Sequence, residues 1–324
     1  MPTKPRVAVV GSYAQALVLT TTRIPLEGET LIGKDYRETF GGKGSDMAVQ
    51  AARLGCDVSY LGVIGNDSHG KAFTDLAESE GIDISGLRVS QDTPTGVGMI
   101  IKDQSAHNII VVDRGANNEF SEVDIDRNVK HLSNASVVLA QLEIPLETAL
   151  YGLRQAKKAG ASTILNPAPA VDLRKADLTG IDILTPNETE AKAILGLAAN
   201  DKTPLSDLAS KLLEKGVGAV VMTLGEKGAA VFTGEGSWTV PATSVESVDS
   251  NGAGDSFNAG LATGIAEGKS LLDAVSFAVA VSGLCCTRWE TVPSYHMRAE
   301  VDEYMRSQPD RLLAPMILSE VESA

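Results

Sequence analysis

The sequence predicts an α/β fold organised around a parallel sheet, and three observations carry that prediction. From about Cys56 almost to the C-terminus, short β-rich runs alternate with amphipathic ones, the pattern of βαβ units. Two strand-like stretches, 22–40 and 95–115, interrupt the alternation without a crossover helix of their own. The 324 residues, 43% of them hydrophobic, supply enough apolar surface for one large α/β core or two smaller ones.

The elements follow in order. Val7–Val10 is a buried-strand run that stops at Gly11 and Ser12. The stretch after it, YAQALV, offers Gln15 as its one polar side chain before Val18. At the carboxyl edge of a sheet, where α/β proteins bind ligands, such an apolar stretch is unusual. TRIPLEGETLIGKDYRETF and TGVGMIIKDQSAHNIIVVDRG then read as a small accessory sheet. Between and after them come VSYLGVIG with KAFTDLAESEG, SVVLAQLE with PLETALYGLRQAKKAG, STILNPAP, and DILTP with NETEAKAILG. LSDLASKLLEKG precedes AVVMTLG and AAVFTG, and two long helical patterns cover Gly254–Glu267 and Ser270 to about Thr287. No fixed-period repeat or Gly/Ser-rich linker divides the chain, so one domain over 1–324 is expected, with the tail 309–324 unassigned.

Composition excludes several classes of partner. A net charge of −14 leaves no broad basic field for nucleic acid or anionic lipid. No run reaches membrane-spanning length, and the first apolar run is too brief for a signal peptide. Of three cysteines, Cys285 and Cys286 are adjacent, a pairing that would be strained as a disulfide. A reducing, cytoplasmic setting is expected. His69, His107, His131 and His296 are scattered without ligand spacing, which argues against a structural zinc.

DSNGAGDSFNAGLATGIAEG is the strongest local signal: Gly252 and Gly254 precede a helix with Phe257, Leu261 and Ile265 on one face. A helix start carries unpaired N–H groups and a positive dipole end, and Asp255 falls in its first turn. Alone it reads either as an ordinary helix start or as a place to deprotonate a hydroxyl while a phosphoryl group arrives. FGGKGSDMAVQAARLG is a second glycine turn into a helix, with Lys43 in the turn and Ser45 or Asp46 as cap. TPNETEA is either a capping box between Asn187 and Glu190 or a holder of the water shell of Mg²⁺. TLGEKG is either a hairpin turn or a lip on phosphates, and Glu143 closes the run VVLAQL.

Taken in order, GGKGSDMA, QLEIP, NPAP, TPNETEA, TLGEKG and DSNGAGDSF resemble the motifs of the ribokinase-like (PfkB) carbohydrate kinases, from about Arg6 to Ser307. The resemblance implies a three-layer α/β/α sandwich with a mostly parallel central sheet and a small β-sheet lid, its strands from about 13–40 and 93–114. It implies ATP and Mg²⁺ as cosubstrates and in-line transfer of the γ-phosphoryl to a sugar hydroxyl. Asp255 would be the general base, and the N–H groups of Gly252, Ala253 and Gly254 the anion hole. Gly42, Lys43, Asp46 and Glu143 would line the sugar site. Asn187, Thr223, Gly225, Gly228, Gly254 and Val279 would serve the nucleotide, with Asn187 and Glu190 reaching Mg²⁺ through water. A monovalent-cation loop for K⁺ would map to Asp249, Asn251, Cys286, Arg288, Glu290 and Ser294, and pairing through the lid would give a homodimer.

The departures concern the substrate. Ala14 and Ala16 stand where ribose-specific members of the family carry Asn and Asp to read sugar hydroxyls. Asp46 replaces an Asn, which would exchange a donor–acceptor for an ionised acceptor, and Glu290 replaces a glycine. Arg23, Arg37 and Arg114 add positive charge to the lid segments, either as solvated faces or to meet a carboxylated or phosphorylated sugar. The reading is therefore a kinase for a pentose-like sugar, deoxysugar or derivative; the alternatives are a nucleoside or sugar-phosphate kinase, or a non-catalytic sensor.

Overall fold

Strand and helix positions come from a computed structural model that describes residues 4–103, 108–307 and 316–317. The strands are β1 Arg6–Val10, β2 Ala14–Thr20, β3 Lys34–Gly41, β4 Asp57–Gly65, β5 Asp83–Ser90, β6 Gly96–Lys102, β7 Asn108–Asp113, β8 Val137–Gln141, β9 Ser162–Asn166, β10 Ile183–Leu184, β11 Ala219–Thr223, β12 Ala229–Thr233, β13 Gly236–Val240 and β14 Met316–Ile317. The helices are α1 Lys43–Arg53, α2 Ser68–Ser79, α3 Glu122–Arg127, α4 Val129–Asn134, α5 Leu146–Lys158, α6 Glu188–Ile194, α7 Leu205–Leu213, α8 Ala253–Ala266, α9 Leu271–Cys285 and α10 Arg298–Ser307.

Ten strands form one sheet in the order β14-β13-β12-β11-β10-β9-β8-β1-β4-β5. From β11 to β5 every neighbouring pair is parallel, while β12, β13 and β14 continue antiparallel. Alternation along β1 separates the two cores. Val7 and Val9 pack with residues of α1, α2, α8 and α9, and Ala8 and Val10 with residues of α3 to α7. This is the expected three-layer sandwich. Within the unassigned tail, Met316–Ile317 pairs with β13 through Trp238 and Thr239.

The two interrupting stretches supply β3, β6 and β7 of a second sheet, ordered β3-β2-β6-β7, whose β2 comes from the apolar run before them. Strand β2 follows β1 after only three residues, so the chain leaves the large sheet at its carboxyl edge and enters the small one directly. That route places Ala14, Ala16 and Val18 on the underside of the small sheet, over the carboxyl ends of the large one.

Candidate active site

Three chain turns bring chemistry to that edge. The first joins β3 to α1. A Cβ on Gly44 would lie 2.7 Å from the Cα of Gly11, so only glycine lets α1 start this close to the end of β1. Gly42, not Ser45 or Asp46, takes the N-cap, correcting the expected cap. Ser45 Oγ instead donates to the carbonyls of Gly41 and Gly42, and Asp46 turns into the cavity.

The second turn follows β8. Glu143 Oε2 accepts from Ser12 Oγ at 2.6 Å and from the Lys43 N–H at 2.8 Å, and the Glu143 N–H donates to Gln141 Oε1 at 3.1 Å. The third is the start of α8, where Gly252 has φ 77 and a Cβ would meet the Tyr295 hydroxyl at 2.8 Å. Ala253 N–H turns back to the Ser250 carbonyl at 3.2 Å. Asn258 fixes the helix from behind: its Nδ2 donates to Gly254 O at 2.8 Å, and its Oδ1 accepts from Thr185 Oγ1 at 2.6 Å.

Asp255 thereby sits 7% exposed in the first turn of α8. Lys43 Nζ lies 3.5 Å from its Oδ1, yet that oxygen has no aligned hydrogen bond. Burial pushes the Asp255 carboxyl up to about 6; Lys43 opposes the rise and the Glu143 charge adds to it. The Lys43 ammonium is raised above its usual range, chiefly by Asp255. Asp46 is held well above the usual carboxylate range by burial and by the charges of Asp255 and Glu143. Burial and the neighbouring carboxylates thus work against the ionised acceptor that the exchange of Asn for Asp46 would give.

The cavity brings together Gly42, Lys43, Asp46, Glu143, Asn251, Gly252, Asp255 and Glu290. Its roof is Ala14, Ala16, Val18, Gly98, Ile100, Ile110 and Val112. Gln15 does not replace the missing readers, because it is buried against Tyr13 and Thr39: Tyr13 OH donates to its Oε1 at 2.7 Å and its Nε2 donates to Thr39 O at 3.0 Å.

The remaining predicted residues lie beside or behind the cavity. Asn187 and Glu190 form the capping box, each accepting the other's N–H at 2.8 Å. Asn187 also pairs with Thr223 across the β10–β11 edge, and the Glu190 charge is felt at Asp255. Gly225 and Gly228, with φ 59 and 91, make the β11–β12 turn, and Val279 is buried within α9. Among the described residues no group of three or more His, Cys, Asp or Glu is placed to hold a metal directly, and His107 lies outside them. Mg²⁺ held through water needs no such cluster. Reading the sequence missed Ser12, Gln141, Thr291 and Lys102, all at or near the cavity, because none belongs to a motif.

The family model for pfkB carbohydrate kinases matches residues 4–296. The chain belongs to the pfkB family of carbohydrate kinases. Such a kinase is a phosphotransferase with an alcohol acceptor. This kinase is 36% identical to ribokinase of Haemophilus influenzae over 92% of its own length and 97% of the relative. It is 33% identical to deoxyribokinase of Salmonella typhi over 92% and 98% of the two chains. Ribokinase of Arabidopsis thaliana, solved with ribose and ATP, matches the fold with a TM-score of 0.85 at 31% identity, covering 94% of this chain and 99% of that one. The small sheet is built from the segments that the resemblance expects as a lid. The lid arginines do not assemble an anion site: Arg23 pairs with Glu29 at 2.5 Å, Arg37 pairs with Glu290, and Arg114 donates to the Leu142 carbonyl at 2.9 Å.

Proposed function

We propose that this kinase moves the γ-phosphoryl of ATP to a hydroxyl of a pentose-like sugar whose upper face is deoxygenated or otherwise apolar. Asp255 is the general base, and the first turn of α8, from Gly252 to Gly254, holds the developing negative charge. The carrying observation is the placement of Asp255: buried, at a helix start, 3.5 Å from Lys43 and open to the cavity. A carboxyl raised to about 6 is ionised at neutral pH yet basic enough to take a hydroxyl proton in the transition state.

Lys43, Asp46 and Glu143 orient the sugar from below, with Glu143 fixed by Ser12 and the Lys43 backbone. Asn187, Glu190, Thr223 and Gly225 serve the nucleotide, and Mg²⁺, held through water near Asn187 and Glu190, would neutralise phosphate charge. The Arabidopsis relative's complex with ribose and ATP supports the cosubstrate pair, and the Salmonella deoxyribokinase supports a deoxygenated acceptor. The Ala, Val, Ile and Gly part of the roof cannot reward a hydroxyl, which leaves Thr39 and Lys102 as the polar residues on that side.

We place the kinase in the cytoplasm, where the free thiols of Cys56, Cys285 and Cys286 stay reduced. A second copy is proposed to cover the lid edge, where β7 exposes Ile109 and Val111 beside Met99 of β6. The test is a coupled ADP-release screen over pentoses, deoxypentoses, hexoses, sugar acids and nucleosides with MgATP. Turnover with a deoxypentose or pentose is expected; turnover confined to nucleosides or sugar acids would overturn the substrate assignment.

A further inference from the structure

The residues that would form a monovalent-cation loop do not fit that role here. Asp249 spends Oδ1 on the Asn251 N–H at 3.0 Å and Oδ2 on the Glu290 N–H at 3.1 Å. The Cys286 carbonyl accepts from the N–H groups of Val248 and Asp249 at 2.7 and 3.3 Å. Ser294 Oγ donates to the Thr291 carbonyl at 2.7 Å, and the Arg288 side chain is turned to Glu300. Both oxygens of Asp249 and the Cys286 carbonyl, on which a cation would draw, already accept hydrogen bonds within the protein.

Two fixed cations lie on the same loop instead, both carried by the lid. Lys102 Nζ, at the end of β6, is 3.8 Å from Asp249 Oδ2, and both side chains are largely buried, 18% and 9% exposed. Arg37 of β3 forms an ion pair with Glu290. Glu290 holds φ 73, a left-handed backbone that is strained for a non-glycine residue. A strained residue whose carboxylate meets a lid guanidinium suggests that the side chain serves a purpose. With two carboxylates matched by two cations, K⁺ would approach a neutral, positively faced loop.

We propose that Lys102 on Asp249, with Arg37 on Glu290, takes the place of a bound monovalent cation, steadying the 249–254 turn from the lid so that the kinase works without K⁺. The proposal rests on that turn being the anion hole. ADP release and melting temperature are measured in KCl, NaCl and choline chloride at matched ionic strength. For the wild type, rates within about twofold and a melting temperature that does not distinguish K⁺ from choline are expected. Stimulation by KCl of roughly tenfold or more, or a K⁺-specific rise in melting temperature, overturns the proposal. Lys102→Met is expected to lose rate in choline chloride and to gain a K⁺-specific rise in melting temperature, and Lys102→Arg, which keeps the charge on Asp249, to show no K⁺-specific rise. A Lys102→Met protein indistinguishable from the wild type in both readouts refutes it. If Lys102→Met does not fold, Arg37→Met is expected to show the same acquired response and its absence counts against the proposal. Melting temperatures still decide the ion question if no sugar supports ADP release.

Discussion

The floor and the roof of one cavity follow opposite rules. The floor is charged and tied: Ser12 and the Lys43 backbone hold Glu143, Asn258 holds the start of α8, and Lys43 sits 3.5 Å from Asp255. The roof, only a few residues further along the chain from β1, is Ala14, Ala16 and Val18 beside Gly98, Ile100, Ile110 and Val112. Phosphoryl transfer asks the same of every substrate, a base and a stabilised anion, so the floor keeps its charges. The roof meets only the variable part of the substrate, and there methyl groups make up most of the lining.

The contrast breaks first at Asp255. Asp255→Ala is expected to lower kcat for ADP release by about 10²–10⁴. The variant should still fold, since Glu143 and Asn258 hold the rest of the floor, although Lys43 loses its ion-pair partner and the melting temperature should drop somewhat. Near-normal kcat would remove the base from the floor.

A smaller effect sharpens the electrostatics. Because the base must be ionised and its carboxyl is raised to about 6, kcat/KM should fall as pH drops through about 6. Lys43 lowers that value, so Lys43→Met should move the acid limb to higher pH as well as slow the reaction. A limb that stays in place would contradict the coupling.

The smallest expected effect is one of stability. Asp46 prefers its neutral form in the fold, so the unfolded chain gains free energy by ionising it once pH exceeds its ordinary value near 4. Asp46→Asn should therefore melt at the same temperature as the wild type near pH 4. At pH 8 it should melt higher than the wild type. Calorimetry at the two pH values checks both sign and window.

Much of the floor was legible in the sequence because its parts sit inside local motifs, a glycine turn entering a helix with Asp255 or Lys43 in the first turn. Glu143 was legible as a strand-end acid, but Ser12, which holds it, was not, since that contact spans 131 residues. The missing hydroxyl readers were named from the family resemblance, which sets Ala14 and Ala16 where ribose-specific members carry Asn and Asp. That Gln15 turns inward to Tyr13 and Thr39 needed the lid strand in place. Asp46 was read as ionised because its charge environment, built by Asp255 and Glu143 from distant elements, is absent from any local window. The two interrupting stretches announced the small sheet by lacking helices, whereas nothing in DRLLAPMILSEVESA foretold that Met316–Ile317 would extend the large one.

The division between floor and roof is tested most directly by Ala16→Asp. The quantity to measure is the ratio of kcat/KM for D-ribose to that for 2-deoxy-D-ribose, in the variant and in the wild type. Returning a hydroxyl reader to the roof should raise that ratio at least roughly tenfold, while kcat on the better substrate stays within about threefold of the wild type because the floor is intact. An unchanged ratio, or a kcat that collapses as it does in Asp255→Ala, would contradict the account.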